Sequence, residues 1–400
     1  MLNRLKICKL IIILSSFCWA PVQSAVDNWQ LNMYRGVTSI SKDIYYLHMV
    51  GLVVCAIIGL VVFSVMIYAL IHHRKSRGHR PATFHENSRL EIIWSIIPFL
   101  ILVGLAVPAT KVLMRMDDTE KSDITIKIVG YQWRWQYQYL DQGISYFSNL
   151  STPYAEIKNN KPKNKWYLLE VDKPLVLPVH KKIRFLVTSN DVIHSWWVPE
   201  LGIKRDAIPG FMYEAWAKID KIGIYRGQCA ELCGINHGFM PIVVNAVSKE
   251  KFDQWVAQQT KTEDMYAKNS IQPGAQKTMT RTELMELGKQ KYEQVCTACH
   301  NADGTGIPPM YPGLKNSSIA VGKPISRHID LILNGIPGSS MQPYKEQLTD
   351  EEIAAITTYE RNAWGNSTDD IVQPGEVAAL RQGSDLKPTM VNKARAGGLQ

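Results

Sequence analysis

The sequence predicts a chain of several domains anchored in a membrane: a two-helix transmembrane hairpin, then an all-β sandwich, then a small all-α domain. Three observations predict it. Two long apolar runs without formal charge, Met49–Ile71 and Ile92–Thr110, fall before residue 120. From Ile124 the apolar period drops to two, and short runs recur between turn residues as far as Val247. Beyond residue 280 the period lengthens again around Cys296-Thr-Ala-Cys-His300.

Four hundred residues, 46% of them apolar, allow two or three buried cores. The net charge of +9 is moderate, and Lys and Arg are spread along the chain, which argues against nucleic acid as a partner. The seven cysteines are Cys8 and Cys18 near the start, Cys55 in an apolar run, and two close pairs, Cys229/Cys233 and Cys296/Cys299. None is left for structural bridging, and close pairs in an exported chain point to cofactor sites or reactive dithiols.

Residues 1–24 have the form of a signal peptide: Arg4, Lys6 and Lys9, then the apolar run Leu10–Ala20, then Val22-Gln-Ser24. A lipoprotein reading of Cys18 suits the preceding Ser-Ser-Phe poorly. Residues 25–118 hold the hairpin, with spans at about 47–71 and 91–113; both apolar runs approach the roughly 20 residues that cross a hydrocarbon core. Five Lys or Arg lie between the spans and only Arg35 and Lys42 between the signal peptide and the first span, so the loop is cytoplasmic and both flanks are exported. Glu91 stands just ahead of the second span, where a carboxylate is either an interfacial group or a point of proton or ion access.

Residues 119–250 carry the strand pattern. Ile124, Ile126 and Ile128 alternate with Thr125, Lys127 and Val129, and the alternation continues as one aromatic face through Tyr131, Trp133, Trp135, Tyr137 and Tyr139. Further strand-like runs are Trp166–Val171, Leu175–Val179, Ile183–Val187, Tyr213–Ile219 and Ile242–Val247. Asn159–Lys165 is a Lys-rich surface insertion. Residues 251–280 read as a polar linker. Residues 281–365 hold two helices, Thr282–Val295 and Thr349–Trp364, the second opened by Thr349-Asp-Glu-Glu352 with the spacing of a capping box. Residues 366–400 lack periodicity and read as a flexible tail.

The chemistry lies in two stretches. Gly227–Pro241 places Cys229, Cys233, His237 and Met240 within twelve residues. Thioether counts against zinc, and two thiolates count against a mononuclear blue-copper site. A copper centre with two bridging sulfurs remains, and it needs a second nitrogen. His180 and His194 are the histidines available before Cys229 in the sandwich. His194 follows a strand in Asp191-Val-Ile-His194, where Asp191 is placed to fix the tautomer of a ligating imidazole. The second stretch, Cys-x-x-Cys-His, is the attachment signature of a c-type haem, with His300 under the iron. A thioredoxin-like dithiol is disfavoured because no βαβ pattern surrounds it. A Met opposite His300 raises the potential; Met341 and Met310 compete, and Met341 sits on the longer loop, just before the terminal helix.

Taken together, Leu-Glu-Ile-Ile-Trp94, Gly-Tyr-Gln-Trp-Arg-Trp135, Asp-Val-Ile-His-Ser-Trp196, Gly-Gln-Cys-Ala-Glu-Leu-Cys-Gly234 with His237 and Met240, and the haem motif give a chain that resembles subunit II of haem–copper cytochrome c oxidase, in the bacterial form with a fused cytochrome c domain. The resemblance covers about residues 28–365. It implies a cupredoxin-like sandwich followed by a class I cytochrome c domain. It also implies a binuclear copper centre of the CuA type: Cys229 and Cys233 bridging two copper ions, His194 and His237 each supplying a nitrogen, Met240 and the carbonyl of Glu231 as weak ligands. The Glu231 side chain matches a residue that helps bind magnesium at the boundary with subunit I. Trp133 matches the aromatic residue that accepts electrons from cytochrome c, and Glu91 a proton-uptake carboxylate. Phe211 departs from the family, where many members have Arg.

The implied function is electron input to a respiratory terminal oxidase. A c-type cytochrome or a quinol–cytochrome c reductase donates, haem c passes electrons to the copper pair, and subunit I, with subunit III beside it, reduces oxygen to water with proton pumping. The implied location is the bacterial inner membrane, two-pass, with the copper and cytochrome domains periplasmic. Histidines within the spans are too few for an oxygen-reducing centre on this chain. The competing reading is a membrane-anchored copper-delivery or thiol–disulfide protein, against which His237 and Met240 count. A quinol-oxidase subunit is excluded by Cys229 and Cys233.

Overall fold

The computed structural model describes residues 32–78, 80, 85–308, 311–336, 339, 341–345 and 347–384, less 271–277, with 262–270 and 384 as backbone only. The signal-peptide expectation for 1–24, the competing ligand Met310, and the end of the tail from 385 fall outside these residues.

Helices α1 (Ser39–His72) and α2 (Ser88–Met116) form the hairpin. Thr38 caps α1 through a reciprocal bond with Ser41, and Asn87 caps α2 by accepting from the Leu90 N–H at 3.2 Å. Both helices are apolar on every side and exposed along most of their length, as helices facing lipid are. They stand on the β domain through named bonds: Val37 N–H to the Glu200 carbonyl at 2.9 Å, Thr38 Oγ1 to the Leu201 carbonyl at 2.9 Å, and Trp216 Nε1 to the Arg115 carbonyl at 2.9 Å.

The sandwich is built from β1 (Ile124–Tyr131), β2 (Arg134–Tyr139), β3 (Ile144–Ser148), a one-turn helix α3 (Tyr154–Ile157), β4 (Leu175–Pro178), β5 (Lys182–Ser189), β6 (His194–Val198), β7 (Ile203–Ala207), β8 (Tyr213–Lys218), β9 (Gly223–Cys229) and β10 (Pro241–Val247). Two five-stranded sheets result, in the orders β3-β2-β1-β5-β8 and β4-β10-β9-β6-β7. The β1–β5 and β4–β10 pairs are parallel within otherwise antiparallel sheets. Ile126, Ile128, Trp135, Tyr137, Phe185, Trp196 and Val244 are fully buried between the sheets. At about 1.5–3 kcal/mol per large apolar side chain, this layer fixes the register of both sheets.

The structure departs from the sequence reading at several places. The single long aromatic strand is a hairpin: Tyr131 pairs with Arg134, leaving Gln132 and Trp133 at its tip. Trp166–Val171 is not a strand; residues 149–174 cross from β3 to β4 largely as turns, with Asn159–Lys165 exposed. β3, β6, β7 and β9 were not expected as strands, β6 and β9 because their ligand-bearing sequences obscure the alternation. Much of the segment expected to be a linker is helix α4 (Lys249–Ser270). Phe252 is buried, and its ring and that of Trp255 pack on Tyr139 of the sandwich. A polar helix with one aromatic edge carries little periodic signal.

The C-terminal domain holds α5 (Arg281–Val295), α6 (Thr297–His300), α7 (Ile325–Asn334), α8 (Asp350–Asn362) and α9 (Pro374–Ser384). Capping boxes open α5 at Thr280/Glu283 and α8 at Thr349/Glu352. Gly288 on α5 meets the backbone of α8 so closely that a Cβ would lie 2.1 Å from the Ala355 carbonyl oxygen. The expected flexible tail is corrected for residues 366–383. Val372 and Val377 are fully buried in this core, and Asp370 pairs with the fully buried Arg361.

Candidate metal centre

The copper candidates converge at one end of the sandwich, where β6 begins and the β9–β10 loop returns. Cys229 ends β9, so its backbone is fixed by pairing with Trp196 of β6. Cys229 Sγ lies 3.8 Å from Cys233 Sγ and 3.9 Å from His194 Nδ1. Cys233 Sγ lies 3.4 Å from His237 Nδ1 and 3.6 Å from Met240 Sδ. The Glu231 carbonyl stands 3.3 Å from Cys229 Sγ. All six expected donors are therefore assembled around the two sulfurs, and Cys229, Cys233, Met240 and His194 are buried. Ligand atoms of His194, Cys229 and Cys233 lie within 4.8 Å of one another, close enough to share a metal. The set fits a two-copper centre: soft bridging thiolates, one imidazole at each end, and a thioether.

The electrostatics follow from the close approach of these donors. Cys229 is drawn well below an ordinary thiol by the Cys233 sulfur, against its own burial, with His194 and two backbone groups assisting. Cys233 is pushed up by the same contact and by burial. Ligation to a metal would require both thiols to be deprotonated. His194 is raised: burial opposes the charge, but bonds to Asp191 and Cys229 outweigh it. Asp191 Oδ1 sits 2.9 Å from His194 Nε2, so Nε2 carries the proton and Nδ1 faces the sulfurs. Asp191 also accepts the Gln132 N–H at 2.8 Å. Gly130 is required beside this ring, since a Cβ there would lie 2.7 Å from His194 Cδ2.

The haem candidates surround a cavity of about 950 Å³ lined by Cys296, Cys299, His300 and Met341, a size suited to a cofactor. His300 Nδ1 is held by the Pro312 carbonyl at 2.8 Å, leaving Nε2 for an iron. Burial pushes the Cys299 thiol up to about 11 and Cys296 well above the ordinary range. Both thiols thus stay neutral in an apolar wall, and the donor set fits a covalently held haem.

The far wall of that cavity belongs to the sandwich: Gln132, Trp133, Arg134, Ile235 and Phe239 line it. Trp133 is only 8% exposed. Its indole packs edge-on against Tyr311 at 6.0 Å between centroids, and its Nε1–H donates to the Cys233 carbonyl at 3.2 Å. Asn236 donates to the Ala298 carbonyl at 2.8 Å. Gln342, next to Met341, accepts from Asn190 at 3.0 Å and donates to Asp191 at 3.4 Å. Tyr311, Gln342 and Arg134 were not singled out from the sequence. An Arg between two Trp was a usable signal for Arg134; nothing local marked the other two.

Glu231 is exposed, beside Leu232 at 79% exposure. Glu91 lies in the first turn of α2, far in sequence from the metal donors, and its carboxylate accepts the Asn87 N–H at 3.3 Å. Phe211 is exposed and stacks on Tyr213 at 6.3 Å.

Known proteins resemble the chain over all three of its regions. Residues 124–247 match the family "Cytochrome C oxidase subunit II, periplasmic domain" and 26–112 match "Cytochrome C oxidase subunit II, transmembrane domain". Residues 283–359 match "Cytochrome C oxidase, cbb3-type, subunit III". A probable cytochrome c oxidase subunit 2 of Rickettsia bellii is 41% identical over 63% of this chain and 91% of its own length. The cytochrome c oxidase subunit 2 of Cereibacter sphaeroides is 38% identical over 55% of this chain and 77% of its own. The solved periplasmic domain of subunit II of cytochrome oxidase from Bradyrhizobium japonicum is 41% identical, covering 36% of this chain and 98% of that one, with a TM-score of 0.32. Donors for a binuclear copper centre, two membrane-spanning helices and a haem-attachment domain thus coincide with these matches, and the chain belongs to the cytochrome c oxidase subunit II family, in a form with a fused C-terminal cytochrome c domain.

Proposed function

We propose that this chain carries electrons from a c-type cytochrome or a quinol–cytochrome c reductase through its own haem c to a CuA pair, and from there to subunit I. Subunit I, with subunit III beside it, would reduce oxygen to water and pump protons. One observation carries the reading. The wall of the haem cavity and the surroundings of the copper donors share Trp133, which reaches the Cys233 carbonyl on one side and Tyr311 on the other.

In this reading Cys296 and Cys299 would hold the haem, with His300 and Met341 available to its iron. Cys229, Cys233, His194, His237, Met240 and the Glu231 carbonyl would hold the coppers. When bound, the coppers and haem supply one-electron exchange. The protein's part is to hold the donors on paired strands so that little moves when charge does. Trp133 is the electron-accepting residue, served here by the attached domain that covers it. The Glu231 carboxylate and exposed Leu232 suit a boundary with subunit I, where magnesium would sit. Glu91 takes up protons at the cytoplasmic end of α2, its bond to Asn87 being a second, structural duty. Both soluble domains lie on the periplasmic side of the bacterial inner membrane.

Metal and haem analysis of the detergent-solubilised complex tests this: two stable coppers and one covalent haem per chain are expected. A single labile copper would sink it and favour the copper-delivery reading.

A further inference from the structure

Arg134 opens β2, one residue past Trp133, and its side chain is buried at 4% exposure. Among the described residues it makes no ion pair, and its Nε and Nη2 atoms are buried without a hydrogen-bond partner. A buried guanidinium cannot shed its proton and is costly to leave without an anion or acceptor. The groups around it are rings: Phe147 of the sandwich at 4.9 Å and Tyr344 of the cytochrome domain at 4.6 Å from the guanidinium carbon. These contacts soften the cost but supply no counter-charge. Arg134 also lines the haem cavity, with Cys296, Cys299, His300 and Met341 on the other side.

We propose that Arg134 is a cation lent by the copper domain to the haem of the neighbouring domain, and that it raises the reduction potential of that haem. Reduction adds one negative charge at the iron, so a fixed positive charge in the wall favours the reduced form. Burial keeps salt from screening it. The residue acts through its field and its stacking on Tyr344. It ligates nothing, and its influence is felt only while the two domains are docked. The inference rests on the proposed covalent haem at Cys296 and Cys299.

The test is a potentiometric titration of the haem in the intact, detergent-solubilised complex. For charge at roughly 10 Å and an effective dielectric of about 20, Arg134→Leu shifts the equilibrium toward oxidised haem on the order of tenfold, a midpoint lower by about 59 mV for one electron. Arg134→Gln, which keeps a polar chain and loses the charge, gives the same fall should the leucine variant assemble poorly. Arg134→Lys, titrated near pH 6, stays close to the parent. Copper content is unchanged in all three. Gln and Leu variants with the parent midpoint overturn the proposal. So does a Lys variant that falls with them, since packing alone then explains the shift. A parent chain without covalent haem would instead refute the proposed function itself.

Discussion

At the scale of single residues, the copper site depends on one missing methyl group. Gly130 lies against the His194 ring at Cδ2, and Asp191 holds the neighbouring Nε2, so a side chain at 130 would push the imidazole off its anchor. Gly130→Ala should lower copper affinity about 10–100-fold, the range for disturbing the support of a metal-ligating His; competition with a chelator measures it. On the haem side, Met341→Ala should abolish the low-spin Met–His spectrum and leave copper content unchanged. An unaltered spectrum would move the ligand to Met310. The copper donors were legible in the sequence because thiolate, imidazole and thioether crowd into one loop. His194 was legible because the alternatives were few. Arg134, Tyr311 and Gln342 were not, since their importance arises from contacts between positions more than a hundred residues apart.

Among the elements, the β1–β2 hairpin shows what periodicity misses. Alternating aromatics from Tyr131 to Tyr139 satisfy a strand equally well whether or not the chain turns at Gln132–Trp133, because period two continues across a two-residue tip. The turn places Trp133 over Cys233. The helices of the last domain were easier to find, their capping boxes being local signals. Residues 366–383 were not, because burial of Val372 and Val377 depends on Arg361. That guanidinium is fully buried, bonds the carbonyls of Ala320 and Gly322, and meets Asp370. Asp370→Asn should destabilise the domain by about 3 kcal/mol, the lower end for halving a buried pair. Arg361 holds the Asp370 carboxyl below its ordinary value. Its folded pKa is therefore lower than its unfolded one. The stability it contributes is complete above about pH 4 and lost as pH falls through the folded value. Thermal unfolding between pH 7 and pH 3 should show an acid limb that flattens in Asp370→Asn.

At the scale of the whole molecule, the cytochrome domain covers the face of the sandwich that carries Trp133. Trp133 and Tyr311, Asn236 and Ala298, and Gln342 with Asn190 and Asp191 join the two. Tyr311→Ala should weaken this junction by the aromatic contact, about 0.5–1.5 kcal/mol beyond its buried area. Faster hydrogen exchange at Gln132–Trp135 and slower haem-to-copper electron transfer are the measurements, and unchanged exchange would show the contact to be incidental. Arg134 adds a reciprocal term: if docking favours reduced haem, reduced haem favours docking by the same factor.

The shared wall also bears on biogenesis. Cys296 and Cys299 open into a cavity that Trp133, Arg134, Ile235 and Phe239 narrow from the other domain. Thioether formation would need both thiols, and the porphyrin edge that meets them, within reach of an attachment machinery. Were haem joined there, access would be widest while the cytochrome domain still stands apart. A chain whose domains dock first would offer its thiols only through the opening the hairpin tip leaves.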